Sequence, residues 1–218
     1  MNVFDVIGPI MIGPSSSHTA GAVKLGNIAL SILGERCVKA DILLSGSFAS
    51  TYKGHGTDKA LLSGIMGLSS DDERIRSAWA LARERGLCCQ FHPGSIPGAH
   101  PNTARLTLEG ETGKTCEVEG ASIGGGSILI HRVDGLAVNF TGQAHTLLIR
   151  HQDEPGAIAA VTNLMADHGI NIGNFSLTCS KKGGEAVMMV EVDSEPDQDL
   201  NEQIRRLPGI MELIFIKR

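Results

Sequence analysis

Residues 145–179, HTLLIRHQDEPGAIAAVTNLMADHGINIGNFSLTC, decide the fold of the C-terminal part of the chain. The first seven residues alternate as a strand does, and apolar residues then recur from Ile158 to Met165 at the spacing of one helix face. Pro155 stands near the start of that helix, where its missing N–H is tolerated. Extended spacing returns at residues 170–181. This stretch therefore predicts a strand, a helix and a second strand.

The residues that follow complete a recognisable order of elements. Residues 181–184, KKGG, predict a hairpin turn into the strand 185–193, and Leu200, Ile204 and Leu207 then repeat at helical spacing before a last strand at 209–217. The order βαββαβ is the ferredoxin-like arrangement. Because residues 141–144, TGQA, break the pattern, we predict two domains, 1–142 and 145–218, and an α+β fold class.

The N-terminal part has a mixed pattern of helices and strands. Apolar spacing predicts a helix over 18–34 that stops at Gly34, and residues 38–48 read as a strand running into a glycine turn. A short helix over 59–66 and another over 71–86 follow. From 87 to 140 short Thr-, Val- and Ile-rich runs alternate with Gly and Pro, which predicts three to five antiparallel strands. We expect an α/β domain here.

Composition excludes several classes of function. The chain has 218 residues, 42% of them hydrophobic, and a net charge of -5 without long runs of one sign, so no footprint for nucleic acid is present. Residues 1–10, MNVFDVIGPI, lack a secretory pattern and no stretch is apolar enough to span a bilayer, so we expect a cytoplasmic protein. Five cysteines without a C-x-x-C pair argue against disulfides and against a metal site made by this chain alone.

The first of three candidate functional motifs is IGPSSSHTAG, residues 12–21. Free amides at a helix entry, neighbouring hydroxyls and the positive end of the helix dipole make a pocket that suits a carboxylate. A simple helix cap is the alternative, but a cap needs one serine and leaves the others unused. His18 is open to three roles, as a base, as a donor to an anion, or as a histidine that only packs.

The second motif is SGSFASTYKGHGTD, residues 45–58, which again surrounds one imidazole with glycines and hydroxyls. Gly54 and Gly56 allow the backbone around His55 to approach a ligand. Asp58 either orients an imidazole or caps the next helix. Taken alone, this stretch also fits an ordinary loop.

The third motif is ASIGGGSI, residues 121–128, between two predicted strands. Three consecutive glycines, Gly124, Gly125 and Gly126, are suited to presenting backbone N–H groups to an oxyanion. The alternative is a flexible hairpin or a bulge without a ligand.

Together the three motifs carry a family resemblance. GPSSSHTAG, YKGHGTD and SIGGGS, in that order and followed by DEPGAI and INI, resemble the beta chain of the bacterial iron-sulfur L-serine dehydratase. Residues 1–142 resemble its beta domain, whose fold is shared with the allosteric substrate-binding domain of some phosphoglycerate dehydrogenases. The C-terminal domain resembles an ACT domain. The dehydrogenase itself is excluded, because a nucleotide-binding G-x-G-x-x-G after a strand is missing.

The resemblance implies deamination of L-serine to pyruvate and ammonia without pyridoxal phosphate. It implies a four-iron four-sulfur cluster that is ligated by a partner, the serine dehydratase alpha chain, and not by this chain. It further implies that the chain is active only with that alpha chain and that it forms homodimers through its beta domain or its ACT domain.

The chemistry of the reaction assigns expected roles to the motifs. Removing the α-proton of an amino acid requires a base and stabilisation of developing carboxylate charge, and we favour His55 over His18 as that base because glycines flank it. The groups expected to bind the substrate carboxylate and amino groups are Ser15, Ser16, Ser17, Thr19, Gly124, Gly125 and Gly126.

The ACT resemblance also implies an effector site near the loop after the first strand. Its expected residues are Asp153, Pro155, Gly156 and Asn171. The alternative is that this domain only assembles the protein.

Two other functions are alternatives to a dehydratase subunit. A purely regulatory chain, which binds amino acids and oligomerises without catalytic residues, also fits the motifs. A Ser-His hydrolase is disfavoured, because a nucleophile adjacent in sequence to its base seldom aligns and no G-x-S-x-G elbow is present.

Overall fold

The computed structural model describes residues 10–218, and the chain divides into two compact units that part between Asp134 and Gly135. Helices and sheets are mixed throughout, which confirms the α+β fold class. Residues 1–9, which carry most of the expectation about a leader, lie outside the described part. Within residues 10–218 no helix combines the length and apolar character that crossing a bilayer demands.

The first unit places helices against one twisted sheet. Its elements are a π-helical turn Ser17–Gly21, α1 Ala22–Leu33, β1 Cys37–Ser45, α2 Gly46–His55, α3 Thr57–Ile65, a 3-10 segment Glu73–Ser77, α4 Ala78–Glu84, β2 Cys88–Gly94, β3 Thr103–Gly110, β4 Thr115–Gly124 and β5 Ser127–Val133. Within this unit the strands run in the order β2-β1-β3-β4-β5.

One strand departs from the predicted antiparallel set. β2 pairs with β1 in parallel register, with Lys39 opposite Cys88 and Ser45 opposite Gly94, whereas β3, β4 and β5 are antiparallel as predicted. The reason is the connection: α2, α3 and α4 cross over between β1 and β2 and return the chain to the same end of the sheet.

Helix α1 confirms the prediction for residues 18–34. It ends at Leu33, and Gly34 takes the left-handed conformation with φ of 77° that its capping role requires. Its apolar side chains contact β3 and β4, and Leu25 and Ile32 are fully buried. The other side of α1 packs on α3 through two glycines, Gly26 and Gly64, whose missing side chains let the two backbones touch.

Helix α2 was not predicted, and the reading of residues 45–58 as a glycine turn and loop is wrong. The helix starts at Gly46, where φ is 59° and a side chain would collide with the backbone of Pro101. The Phe48 N–H then donates to the Pro101 carbonyl at 3.2 Å, and the Phe48 ring is fully buried. Phe48 is the sole buried residue of α2, so the sequence lacks the apolar periodicity that announces a helix.

The second unit has the predicted βαββαβ order. After β6 Leu136–Phe140 come β7 His145–Gln152, α5 Ala157–Asp167, β8 Ile172–Cys179, β9 Glu185–Val192, α6 Gln198–Arg206 and β10 Ile210–Ile216. The sheet runs β10-β7-β9-β8 and is antiparallel throughout. Both helices cover one face, where Leu147, Val161, Met188, Leu200 and Ile204 form the core.

The units part earlier than the domain boundary proposed from sequence. β6 contacts β8 and β9 and belongs to the second unit. The predicted boundary at 142–145 follows β6 and stays a prediction. The TGQA stretch is a short irregular connection between β6 and β7.

Candidate functional site

The two histidines of the sequence motifs lie side by side. The ring centroids of His18 and His55 are 4.7 Å apart, with an angle of 60° between the ring planes. The π-helical turn supplies His18, and the last residue of α2 supplies His55. His18 is only 7% exposed, whereas His55 is exposed to solvent. The tertiary structure thus pairs one sheltered imidazole with one accessible imidazole.

Three hydroxyl groups surround the ring of His18. Ser15 Oγ lies 3.4 Å from Nδ1, while Ser47 Oγ and Thr51 Oγ1 lie 3.3 Å and 3.2 Å from Nε2. The edge of the ring also meets Phe48, at a centroid distance of 5.2 Å. Residues from the first turn and from α2 therefore hold the ring in one orientation.

These contacts assign the protons of His18. The Thr51 hydroxyl donates to the Ser47 carbonyl at 2.7 Å, so its oxygen is left to accept from His18 Nε2–H. On the other side the Ser15 oxygen accepts from the His18 backbone N–H, which leaves its own proton for Nδ1. The network fits a neutral imidazole protonated on Nε2.

Electrostatics keep His18 neutral as well. Burial lowers the pKa of His18 below its usual value, and the nearby His55 imidazole lowers that pKa further, since two positive rings this close repel each other. At neutral pH the His18 ring is therefore neutral.

His55 opens onto a cavity of about 350 Å³. Gly13, Thr19, Gly54 and Gly56 also line it, and the last two flank His55 in sequence. Gly56 has a φ of 72° and ends α2 in the left-handed conformation, so α3 can start at once and its N-terminus borders the same cavity.

Three cations that the sequence motifs did not single out line this cavity. They are Lys53, Lys59 and Arg76. None of them makes an ion pair with any residue in the described part of the chain. Lys53 and Lys59 lie within four residues of His55, so the sequence could have indicated that they share its site. Arg76 comes from the distant 3-10 segment and could not be identified in this way. The cavity is therefore built to attract an anion.

Asp58 does not orient an imidazole. One of its oxygens accepts from the Lys59 N–H at 2.8 Å, inside the first turn of α3, and the other accepts from the Trp79 indole N–H at 2.9 Å. Asp58 is buried, and its carboxylate ties α3 to α4. Of the two readings from sequence, helix stabilisation is the one that the geometry matches.

The serine-rich motif works differently from the expected anion pocket. The N-cap position Ser16 makes no side-chain capping bond; its carbonyl accepts from Gly21 N–H, and the Ser15 carbonyl accepts from Thr19 N–H. Ser15 holds His18, and of the expected binding residues Ser15, Ser16, Ser17 and Thr19, it is Thr19 that lines the cavity of His55. The Ser15 oxygen, which accepts from the His18 N–H, therefore acts as the helix cap, and the expectation that several serines face one ligand stays a prediction.

The glycine run does not line this cavity. Gly124, Gly125 and Gly126 all have positive φ, from 60° to 107°, and form the tight turn between β4 and β5. Gly126 borders a different cavity, together with Lys24 and Asn27. Consecutive left-handed residues are what a tight hairpin turn needs, and the binding of an oxyanion by these glycines stays a prediction.

The expected effector residues of the second unit fall into two places. Asp153, Pro155 and Gly156 line a cavity of about 400 Å³ with Lys182. Asp153 also accepts from the Gly183 N–H at 3.0 Å and so holds the β8–β9 turn.

Asn171 lies at the far end of the same sheet. It immediately precedes β8, whose first residue pairs with Val192, and Val192 pairs with the first residue of β7. Asp153 follows the last residue of β7, so the length of that strand, about 25 Å, separates the two. Within one chain Asn171 does not join the other three residues, because β8 begins at the end of the sheet opposite to the one where β7 ends.

The cysteines do not form a metal or cluster site. All five are free thiols, and among residues 10–218 no three His, Cys, Asp or Glu side chains are placed to hold a metal ion. Burial, with the neighbouring Cys37 thiol as a smaller cause, raises the pKa of Cys89 to about 12. An iron-sulfur cluster does not fit the residues that the structure describes.

Comparison with known proteins gives two family matches. A model described as the serine dehydratase beta chain matches residues 2–86, and a model described as the ACT domain matches residues 145–209.

Full-length relatives match as well. The probable L-serine dehydratase beta chain of Bacillus subtilis (strain 168) is 40% identical over 215 residues, covering 99% of this chain and 97% of the relative. The L-serine dehydratase beta chain of Peptoniphilus asaccharolyticus is 38% identical over 204 residues, covering 93% and 92%. The D-3-phosphoglycerate dehydrogenase of Methanocaldococcus jannaschii is 26% identical over 206 residues, covering 94% of this chain and 38% of that enzyme.

Proposed function

Because the chain belongs to the serine dehydratase beta chain family, as its motifs predicted, we propose that it is the beta subunit of an L-serine dehydratase. The proposed reaction is the deamination of L-serine to pyruvate and ammonia, completed by an alpha chain. The observation that carries the proposal is the pairing of His55 with His18 at the edge of an open cationic cavity.

His55 is the proposed base. Its imidazole borders the cavity and is exposed to solvent, whereas the His18 ring 4.7 Å away is buried. A substrate whose α-carbon faces His55 gives up its α-proton to a ring nitrogen, and the resulting imidazolium is solvated at the cavity mouth. His18 acts indirectly, since the hydroxyls around it fix its ring against His55.

The cations supply the second requirement of the reaction. Loss of the α-proton pushes negative charge onto the substrate carboxylate, and a preorganised positive group next to that carboxylate stabilises it. Lys53 and Lys59 flank His55 in sequence and line the same cavity, and the Thr19 hydroxyl adds a hydrogen bond donor there. These three residues replace the serines and the glycine run as the proposed carboxylate-binding groups.

We place the four-iron four-sulfur cluster on the alpha chain, where it would supply a Lewis acid for the departing β-hydroxyl, which leaves as water with a proton. The described residues of this chain offer no set of ligands for the cluster. Its cysteines lie on four different strands, and the two that share a strand, Cys88 and Cys89, differ in exposure. The proposal therefore assigns to this chain only the proton transfer and the binding of the carboxylate.

For the second unit we propose a role in assembly. β8 is an edge strand with no fully buried residue, and Leu177 on it is 37% exposed. An unpaired edge of this kind is available to a second copy of the chain.

The test of the catalytic proposal is a substitution of His55. His55→Ala in the reconstituted two-chain enzyme should lower kcat by at least 100-fold, since a general base contributes on the order of 10² to 10⁴ in rate. His92→Ala is the matched control, because His92 is an exposed histidine paired with Asp41 on β1 and lies outside the cavity. Near-normal turnover of His55→Ala would remove His55 from the chemistry and favour the regulatory alternative.

A further inference from the structure

An aromatic cluster stands on the surface beside the candidate site. The Tyr52 and Phe91 rings stack with centroids 6.1 Å apart, and the Trp79 ring meets Phe91 edge-on at 5.6 Å. Trp79 is 38% exposed, although it is the single tryptophan of the chain and Tyr52 is the single tyrosine. The tyrosine and the tryptophan of the chain thus both contact Phe91 at the surface of the first unit.

This cluster is continuous with the cationic cavity. Arg76, which is exposed, precedes Trp79 by three residues and lines the cavity rim. Lys53 Nζ lies 5.7 Å from the centroid of the Tyr52 ring. We call the surface formed by Tyr52, Arg76, Trp79 and Phe91 the aromatic-arginine face.

The charge at this place exceeds what the proposed substrate can neutralise. L-serine brings one carboxylate and one ammonium group, so its net charge is zero, while three cations without a described ion-pair partner surround the cavity. After the carboxylate is matched by a lysine next to His55, Arg76 at the rim still lacks a negative partner. The surplus is notable in a chain whose net charge is -5.

We propose that the aromatic-arginine face binds an acidic segment of the alpha chain. The inference rests on the proposed function, which requires that chain to close the cavity. Trp, Tyr and Arg are the side chains that dominate the binding energy of protein interfaces, and here all three types occur on one exposed face. An acidic group of the partner pairs with Arg76, while its apolar neighbours cover the indole.

The face is also held rigid before any partner arrives. Asp58 accepts the Trp79 indole proton at 2.9 Å and is itself fixed by the Lys59 N–H. A ring fixed in this way loses little conformational freedom on binding, which favours association. The buried end of Trp79 thus has a structural role, and its exposed remainder forms the binding surface.

The single tryptophan allows a direct test. The full chain is labelled with 5-fluorotryptophan, and the ¹⁹F resonance of Trp79 is followed while unlabelled alpha chain from the same source is added. We expect the resonance to shift and broaden at a stoichiometry of one to one. An unchanged resonance at concentrations where sedimentation shows the complex would overturn the proposal.

Charge reversal gives the second readout. Arg76→Glu should weaken the affinity for the alpha chain at least 10-fold, and Arg76→Lys should recover most of that loss. Arg206→Glu is the matched control, because Arg206 is an exposed arginine in the second unit, and it should change the affinity less than twofold. The ¹⁹F spectrum of each free variant reports whether the first unit is folded.

The remaining outcomes separate the two proposals. If Arg76→Glu leaves association intact but raises KM for L-serine, the rim is a small-anion site and the docking proposal is wrong. If Arg76→Glu weakens association while His55→Ala retains turnover, the docking proposal stands and the catalytic assignment is the one that fails. If the wild-type chain and the alpha chain do not associate at all, both proposals fall.

Discussion

At the scale of single residues, the imidazole pair shows how neighbours divide two like groups into different roles. His18 and His55 are identical side chains, but hydroxyls and Phe48 enclose one ring while the other borders open solvent. Burial and the charge of its neighbour lower the pKa of His18. The accessible ring is consequently the one suited to exchange protons with a ligand.

This lowered pKa has a consequence for stability. The folded chain binds a proton at His18 less readily than the unfolded chain does, so the contribution of His18 to stability is complete above the unfolded pKa of about 6.5 and is lost as pH falls through the window below it.

We therefore expect the free energy of unfolding to fall between pH 7.5 and pH 5.5, with a contribution from His18 of at most about 1.4 kcal/mol per pH unit. Urea unfolding of the wild-type chain and of His18→Gln at a series of pH values measures this. The variant should show the shallower dependence on pH, whatever its stability at pH 7.5. Parallel curves for the two proteins would contradict the assignment.

At the scale of elements, close packing of α1 on α3 fixes where the two histidine motifs meet. A side chain on Gly26 would lie 2.5 Å from the Leu61 carbonyl oxygen and 2.9 Å from Gly64 Cα. The two helices that follow the π-helical turn and α2 can therefore approach only because both contact positions are glycine. This approach sets the position of the first turn relative to the end of α2.

We expect Gly26→Ala to destabilise the first unit by roughly 1–3 kcal/mol, the usual cost of overpacking, because the contact is with backbone that cannot move aside. The urea midpoint followed by Trp79 fluorescence reports on this unit alone. Gly54→Ala is the control: it lies within α2 with open space around it, and it should stabilise the unit by about 0.5–1 kcal/mol. Equal effects of the two substitutions would refute the packing argument.

At the scale of the whole molecule, the two units have separate cores and separate proposed tasks. The first carries the cavity with His55, and the second presents an edge strand, β8, that its own helices leave uncovered. The opposite edge strand, β10, is more deeply buried along its length. This asymmetry favours β8 as the edge that a second copy uses.

We expect Leu177→Lys on β8 to shift the chain from dimer to monomer in sedimentation velocity, since a charge at a paired edge opposes association. Met211→Lys on β10 is the matched control, because Met211 is 46% exposed on the other edge of the same sheet, and it should leave the dimer intact. Dissociation by both variants, or by neither, would argue against assembly through β8.

The sequence by itself determined the family and the architecture of the second unit. The strands and helices of residues 145–218 follow their apolar periodicity, because the apolar side of each element packs into one common core. The same holds for α1, whose spacing and terminal glycine are local signals.

Only the tertiary structure decided the composition of the site. Helix α2 could not be predicted from the sequence, because its segment has weak helical character. It is stabilised by Phe48, whose N–H donates to the Pro101 carbonyl and whose ring is buried in the core. Arg76 joins His55 through packing of elements far apart in sequence, and the glycine run forms the turn between β4 and β5 and does not line the cavity. Local spacing records which residues share a face, but which faces meet depends on contacts between distant segments, and these become visible only once the chain is folded.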